Sequence, residues 1–192
     1  MKNIIRTGII AVSFAILVIG YYTYLTRMNS GSSTEVKVEK QSEKELVLNA
    51  DFAKNYPQTP REVVKWYNRI LALYYSENMT EEEIERLCDK TRILMDDELA
   101  AQNPPEEYLN RTRAKIKEIQ TRGQKLVTSE VADTKDIVKT KLNGDNMAYV
   151  LSYYCIKEGQ DYQTTFQKYA LRRDHRGKYK IVAFKQSDRN GS

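Results

Sequence analysis

The sequence has few of the residues that build metal sites and nucleophilic sites. Its 192 residues include two cysteines and one histidine, His175, which lies in a predicted turn. One histidine excludes a histidine cluster for a metal, and Cys88 and Cys155 lack the CxxC spacing of a zinc motif. Phosphate-binding glycine loops, dinucleotide-binding glycine patterns and a GxSxG motif are also absent. The sequence therefore predicts no metal, no cofactor and no catalytic residue.

Neither sign of charge dominates the chain. Thirty-one Lys and Arg face 26 Asp and Glu, which gives a formal net charge of +5. This mild excess does not predict a nucleic-acid partner. The two cysteines leave two interpretations open. They form one disulfide outside the cell, or they are buried free thiols.

Residues 7–25 form a run without any charged side chain. As a helix they would reach about 28 Å, close to the ~30 Å hydrocarbon core of a bilayer, so they predict a transmembrane helix. Lys2 and Arg6 precede the run and only Arg27 follows it closely. This asymmetry predicts a cytoplasmic tail at residues 1–6 and an extracytoplasmic C-terminal part of a single-pass protein of the cell membrane. A cleaved signal peptide is the alternative, although the bulky residues after the run offer no cleavage site.

The rest of the chain is predicted to form one domain behind a linker. Residues 26–45 are rich in Ser, Gly and alternating charges, which is typical of a flexible tether. Residues 46–187 have the length and apolar content of a single domain with a core. Residues 188–192 are expected to be a disordered tail.

Three helices are expected first in this domain. Thr59-Pro60-Arg61-Glu62 and Thr80-Glu81-Glu82-Glu83 have the pattern of capping boxes at helix starts. A third helix is expected to begin near Asn103 and to end at Gly123. Asp96, Asp97 and Glu98, near the end of the second helix, are expected to be solvated rather than to act as catalytic acids.

Strands are expected from Lys125 onward. Here the hydrophobic pattern changes to a period of two, and Asn143-Gly144 predicts a hairpin turn. Short connections predict antiparallel neighbours. The fold class expected is α+β, with three helices packed on a curved, four-stranded antiparallel meander.

Three segments carry a resemblance to a known family. They are residues 55–70 (NYPQTPREVVKWYNRI), 169–174 (YALRRD) and 177–182 (GKYKIV). They resemble uncharacterised, single-span, membrane-anchored proteins of Gram-positive bacteria, over most of residues 46–186. The order of helices and strands is similar to the cone-shaped nuclear-transport-factor-2-like or cystatin-like architecture. That architecture is shared by ketosteroid isomerases, scytalone dehydratases and non-enzymatic domains, so it implies a fold and no single function.

Six aromatic residues are candidates for the lining of a pocket at the mouth of the cone. An apolar or aromatic ligand would fit such a pocket, and the alternative is that these rings fill the core. The residues are Trp66, Tyr67, Tyr74, Tyr149, Tyr153 and Phe166.

Six basic residues near the last hairpin are candidates for contact with an anionic surface. Membrane headgroups or anionic wall polymers would be bound by them, and the alternative is a solvated strand edge that discourages aggregation. The residues are Arg172, Arg173, Arg176, Lys178, Lys180 and Lys185.

Two functions follow as hypotheses. The first is a membrane-tethered, extracytoplasmic binding or scaffold module without catalysis, whose partner is an envelope protein or an anionic wall polymer. The second is a cone-fold enzyme of the isomerase or dehydratase type that acts on a small apolar ligand. An open pocket with converging polar groups would favour the enzyme, and a filled cone would favour the binding module. The sequence does not predict an oligomeric state.

Overall fold

The helices and strands of the computed structural model follow the order expected from the sequence. The structure describes residues 42–76 and 79–187, and this part of the chain contains five α-helices and five strands. The helices are α1 (Glu43–Asn49), α2 (Pro60–Tyr74), α3 (Glu81–Leu94), α4 (Asp97–Ala101) and α5 (Pro105–Thr121). The strands are β1 (Gln124–Val131), β2 (Val138–Leu142), β3 (Asp145–Glu158), β4 (Asp161–Arg173) and β5 (Tyr179–Ser187).

Both predicted capping boxes are confirmed. At the start of α2, the Glu62 amide donates to Thr59 Oγ1 over 3.2 Å, and the Thr59 amide donates to the Glu62 carboxylate over 3.1 Å. Thr80 and Glu83 exchange the same two bonds before α3. These side chains satisfy amide groups that have no partner within the helix.

Removal of the first cap is expected to destabilise the domain modestly. Thr59→Ala deletes the oxygen that accepts from the Glu62 amide, which costs about 1 kcal/mol. Chemical denaturation monitored by circular dichroism measures this loss. Thr59→Ser keeps the oxygen and serves as the control. Equal stability of both variants and the wild type would contradict a role for the cap.

The predicted α+β class is confirmed, but the predicted numbers of helices and strands are wrong. Helices α1 and α4 were not expected, because seven and five residues are too few to show an apolar helical period. Helix α1 has its own capping box, Ser42 with Glu45, and begins within the last residues of the predicted linker. The side chain of Val47 on this helix is fully buried and belongs to the core.

The additional strand arises because the single strand expected before the Asn143-Gly144 hairpin is interrupted and forms two strands, β1 and β2. Both strands pair antiparallel with the same edge of β3, β1 along residues 152–158 and β2 along residues 145–149. A 3-10 turn at Thr134–Asp136 separates them. Arg61 fixes the end of β1, since its guanidinium donates to the carbonyls of Val131 over 3.3 Å and of Ala132 over 2.9 Å. The strand order along the sheet is β1-β3-β4-β5.

The hairpin between β2 and β3 forms at the predicted turn. Asn143 and Gly144 have φ angles of 52° and 92°. Two successive positive φ values match the right-handed twist of the flanking strands, and glycine and asparagine adopt them most readily. The last four strands therefore form the expected meander.

One face of the sheet packs against the helices. Along β3, residues 148, 150, 152 and 154 are buried and alternate with partly exposed neighbours, as expected where one face of a sheet covers a core. The core combines this face with apolar side chains of the helices. Its fully buried members include Val47, Val63, Val64, Ile70, Leu87, Leu94, Val150, Tyr169, Leu171 and Ile181.

The predicted fold also included a membrane-spanning helix, and this part of the prediction is corrected. None of the helices in residues 42–76 and 79–187 has both the length and the apolar character needed to cross a bilayer. The predicted span at 7–25 and the predicted tails at 1–6 and 188–192 lie outside the described residues, as does the predicted linker up to residue 41.

Candidate functional site

A chain of hydrogen-bonded side chains runs through the packed interior between α2 and the sheet. Tyr154 donates its hydroxyl hydrogen to Asn68 Oδ1 over 2.5 Å, and Asn68 Nδ2 donates to Ser152 Oγ over 2.8 Å. The Tyr169 hydroxyl lies 2.6 Å from the Tyr154 oxygen and 2.7 Å from Gln167 Oε1, and its one hydrogen can be donated to either acceptor. Each polar group thus has a protein partner, as buried polar groups require.

Burial keeps the two tyrosines of this chain neutral. It raises the pKa of the Tyr154 hydroxyl and raises the pKa of the Tyr169 hydroxyl well above its ordinary value. Neither group can serve as a base near neutral pH. Hydrogen-bonded, uncharged and enclosed, these side chains bind the sheet to α2.

Three residues of the predicted aromatic set, Trp66, Tyr67 and Tyr74, lie on α2 and pack against other side chains. The rings of Tyr67 and Tyr169 lie 5.4 Å apart at their centroids. The Tyr74 hydroxyl contacts Thr91 Oγ1 at 3.4 Å and Cys88 Sγ at 3.9 Å. Trp66 lies further out, edge-on to Phe52 at 5.2 Å and beneath the Arg69 guanidinium at 4.5 Å.

The other three aromatic residues lie on the opposite face of the sheet. Tyr149 and Tyr153 alternate with the buried residues of β3, and Phe166 is paired with Tyr153 across to β4. The Tyr153 and Phe166 rings lie 5.4 Å apart. The structure therefore does not bring the six predicted residues together around one pocket.

The two cysteines are both free thiols. Cys88 is buried and Cys155 is partly exposed. Burial raises the pKa of the Cys88 thiol, which disfavours the reactive thiolate. Within residues 42–76 and 79–187, no three side chains of metal-binding type lie together.

One groove lies between α1, α2 and β1 and has a volume of about 860 Å³. Arg61, Lys65 and Arg69 line one wall at intervals of four residues. Arg61 lies 3.4 Å from the carboxylate of Asp133, and Arg69 lies 2.5 Å from that of Glu43. The cations of this wall are thus largely balanced by carboxylates of the same groove.

The predicted basic residues have several different roles. Arg172 is held by acidic side chains, donating to Asp96 over 2.6 Å and to Glu98 over 3.0 Å. These hydrogen bonds raise the pKa of the Arg172 guanidinium, first through Asp96 and then through Glu98. Asp96 is only 7% exposed, so the expectation that it is solvated is wrong. The reason is that it pairs with Arg172 and also caps α4 through the Glu98 amide.

Loss of Arg172 is expected to destabilise the domain. Arg172→Met leaves the Asp96 carboxylate buried without its cation, which costs about 2 kcal/mol when the partial exposure of the arginine is considered. Urea denaturation measures the change. Arg176→Met removes an exposed cation from the adjoining turn and is expected to change stability by less than about 0.5 kcal/mol. Equal losses in the two variants would contradict the pairing.

Lys178 and Lys180 belong to the packing around one tyrosine. Their ammonium groups lie 4.9 Å and 4.5 Å from the centre of the Tyr56 ring. Lys180 also donates to the carbonyl of Ile93. Burial lowers the pKa of the Lys180 ammonium. By contrast, Arg176 and Lys185 are exposed.

A second groove, at the end of the sheet, brings three cations together. Lys139 and Lys141 of β2 line it together with Arg173 of β4, and its volume is about 340 Å³. The remaining lining residues are neutral, namely Thr140, Asn146, Met147 and Tyr179. Among the residues that the structure describes, no carboxylate lines this surface, which is called the cationic groove below. Of the six predicted basic residues, only Arg173 lines it.

Comparison with known proteins places the chain in a family. The sequence profile of a domain of unknown function, DUF6715, matches residues 1–184. The chain belongs to the DUF6715 family. The match covers nearly the whole chain, including all of α1 to β4 and most of β5. No curated protein matches the sequence.

Sequence reasoning missed two residues of the cationic groove in this DUF6715 chain. Lys139 and Lys141 are 32 or more positions before Arg173 in the sequence, so no local cluster of charge indicates them. The available signal was the alternation in V-K-T-K-L, which places both lysines on the same side of a strand. Their proximity to Arg173 depends on the pairing of β2 with β3 and of β3 with β4.

Proposed function

We propose that the domain is a non-catalytic binding module of the cell envelope that holds a linear anionic polymer in the cationic groove. The observation that carries this proposal is the convergence of Lys139, Lys141 and Arg173 without a lining carboxylate. An extracytoplasmic position belongs to the proposal, because the wall polymers in question lie outside the cytoplasm. Contact with a membrane remains a prediction from the sequence.

The geometry favours a regularly charged chain as the ligand. Lys139 and Lys141 are two residues apart on β2, so their side chains leave the strand about 7 Å apart on the same side. Asn146, which pairs with Lys141 across to β3, adds neutral hydrogen-bonding groups. A polymer with repeated phosphate groups can meet both lysines and Arg173 along the groove. A concave surface of this kind fits a chain better than it fits a flat bilayer.

The isomerase or dehydratase alternative has less support. Such an enzyme needs polar groups that converge on an open space inside the cone. The five grooves described for this part of the chain are lined by neither Tyr154 nor Tyr169. Both hydroxyls are instead engaged with protein side chains. We therefore favour binding over catalysis.

The proposal is tested with inorganic polyphosphate as the probe. We expect titration calorimetry with the full chain to detect binding at low salt. We also expect affinity to fall by roughly a factor of five to ten for each tripling of salt, as for release of two or three counterions. Vesicles with anionic lipid are the comparison, and binding to vesicles in preference to polyphosphate would favour a membrane surface as the ligand. Absence of binding to polyphosphate at low salt would contradict the proposal.

A further inference from the structure

The face of the sheet that points away from the helices carries a group of aromatic side chains. Tyr149 and Tyr153 lie on this face, because they alternate with the buried residues of β3. Side chains paired across neighbouring strands lie on the same side of a sheet, so Phe166, opposite Tyr153, and Tyr162, opposite Lys157, lie there too. Tyr162 is 62% exposed, and the other three rings are partly exposed. This surface is called the outer face below and consists of the outward residues within 125–130, 149–157, 162–170 and 183–187.

Two pairs of lysines flank these rings. Lys125 of β1 lies opposite Lys157 of β3, and Lys168 of β4 lies opposite Lys185 of β5. Like charges directly opposite each other weaken a sheet, so the stability of the fold does not explain either pair. Within the four ranges that define the outer face, the only outward carboxylate is that of Glu130, opposite Tyr153. The outer face is therefore basic, with four cations and one anion.

We propose that the outer face binds the surface of a lipid bilayer that contains anionic lipids. Lys157 is six positions along β3 from Leu151, the residue opposite Lys168, so the two lysine pairs are separated by about 20 Å along the strands. One phosphate group cannot reach both pairs, whereas a layer of headgroups supplies negative charge to each of them. Headgroups over a lysine pair also offset the repulsion within that pair.

The side chains between the lysine pairs favour a bilayer over a soluble anionic polymer. Tyrosine is enriched at membrane–water interfaces, and phenylalanine and leucine form the apolar side of segments that lie in this layer. The outer face has these residue types at its centre, where Leu151 lies between Tyr149 and Tyr153 on β3. A hydrated polyphosphate chain provides no apolar environment for them. The combination of apolar centre and lysine pairs therefore matches both layers of a membrane surface.

Single-stranded nucleic acid fits the same face less well. Its bases bind by stacking on the flat sides of aromatic rings. Lys168 Nζ lies over the Tyr149 ring at 5.6 Å from its centre, and Lys157 Nζ lies over the Tyr162 ring at 5.5 Å. A base that stacks on these sides has to displace the lysines. The planes of the Tyr153 and Phe166 rings meet at 58°, so these two rings do not form one flat platform.

Cys155 provides a native probe of the outer face. It lies between Tyr153 and Lys157 on the same side of β3 and is partly exposed. The full chain is alkylated with iodoacetamide, alone or with vesicles, and the modified cysteine is measured by mass spectrometry. We expect vesicles of equimolar phosphatidylcholine and phosphatidylglycerol to slow alkylation of Cys155 about fivefold or more, because the lysines hold the face against the anionic surface. Vesicles of phosphatidylcholine alone are expected to leave the rate unchanged.

A double charge reversal tests the lysine pairs. Lys157→Glu with Lys185→Glu converts each like-charge pair into an opposite-charge pair, so we expect the variant to fold normally. Four lysines and one glutamate become two lysines and three glutamates, which changes the charge of the outer face from +3 to −1. We expect the affinity for anionic vesicles to fall about a hundredfold or more, and the protection of Cys155 to be lost. Lys115→Glu with Lys117→Glu, on exposed positions of α5, has the same net charge and is expected to keep the protection.

The other outcomes overturn the proposal. Unchanged alkylation of Cys155 on anionic vesicles does so, as does equal protection by vesicles without anionic lipid. Protection by polyphosphate or by a single-stranded DNA oligonucleotide that is as strong as the protection by vesicles would identify a different partner. Vesicles that protect Lys139 and Lys141 from acetylation, but not Cys155 from alkylation, would contact the cationic groove instead. Failure of polyphosphate binding leaves this test unaffected, since the outer face and the cationic groove share no residue.

Discussion

The domain is expected to unfold cooperatively between about pH 11 and 13. Four tyrosines have buried side chains and a raised pKa, with burial as the main cause: Tyr56, Tyr74, Tyr154 and Tyr169. In the unfolded chain each would ionise near its ordinary pKa of about 10. The stability that these groups contribute is therefore fully present below pH 10 and is lost as the pH rises toward their folded-state pKa values.

The size of the effect follows from proton linkage. Each buried tyrosine lowers the free energy of unfolding by about 1.4 kcal/mol per pH unit above 10, so four of them lower it by about 5.6 kcal/mol per unit. A domain of this kind is stable by only about 5–15 kcal/mol. About one to three pH units above 10 are thus enough to unfold it. Tyr108 adds to the effect between pH 10 and about 12, because burial raises its pKa to about 12.

Absorbance at 295 nm and circular dichroism at 222 nm together measure this transition. The exposed members of the 14 tyrosines ionise first, without a change in helix content. The buried ones ionise in a second, steeper step that coincides with the loss of helix. Ionisation of all tyrosines near pH 10 with the helices intact would contradict the buried positions.

Reversal of two charges in the cationic groove is expected to abolish polyphosphate binding. Lys139→Glu with Lys141→Glu removes two favourable contacts and adds two repulsive ones. At about 1 kcal/mol for each cation near an anionic surface, the total is about 4 kcal/mol, or roughly a thousandfold in affinity. Both lysines are exposed on β2, so the variant is expected to fold normally.

The matched control changes the same charges elsewhere. Lys115→Glu with Lys117→Glu also introduces two glutamates two residues apart, on exposed positions of α5. Its net charge equals that of the groove variant. Titration calorimetry at low salt compares the two. A similar loss of affinity in both variants would mean that net charge, and not the groove, attracts the polymer.

Local patterns predicted the parts of the fold that depend on neighbouring residues. Thr59 with Glu62 and Asn143 with Gly144 act over two to four residues, and the structure has them as expected. The interruption between β1 and β2 was not predicted because it depends on a contact between residues distant in sequence. Arg61 donates to the carbonyls of Val131 and Ala132 at the end of β1. Short helices such as α4 escaped prediction for a similar reason, since Asp96 caps α4 and is held by Arg172 from a strand 76 positions later.

The candidate functional residues show the same difference between local patterns, which the sequence reveals, and contacts between distant residues, which it does not. The sequence pointed to cations at the last hairpin, but their charges are divided between ion pairs, packing on Tyr56 and solvent. Register across three strands decides that Arg173 meets Lys139 and Lys141. The aromatic set was separated by the alternation of β3, which places Tyr153 and Tyr154 on opposite faces of the sheet. Neither the grouping of these three cations nor the separation of the aromatic residues can be predicted without knowing which strands pair and in what register.

Lysine footprinting tests the central claim most directly. The full chain is acetylated with a limiting reagent in the presence and absence of polyphosphate, and the modified lysines are counted by mass spectrometry. If the cationic groove holds the polymer, acetylation of Lys139 and Lys141 falls at least fivefold when polyphosphate is present, while that of Lys117 on α5 stays constant. Equal reactivity of Lys139 and Lys141 with and without bound polyphosphate would contradict the account.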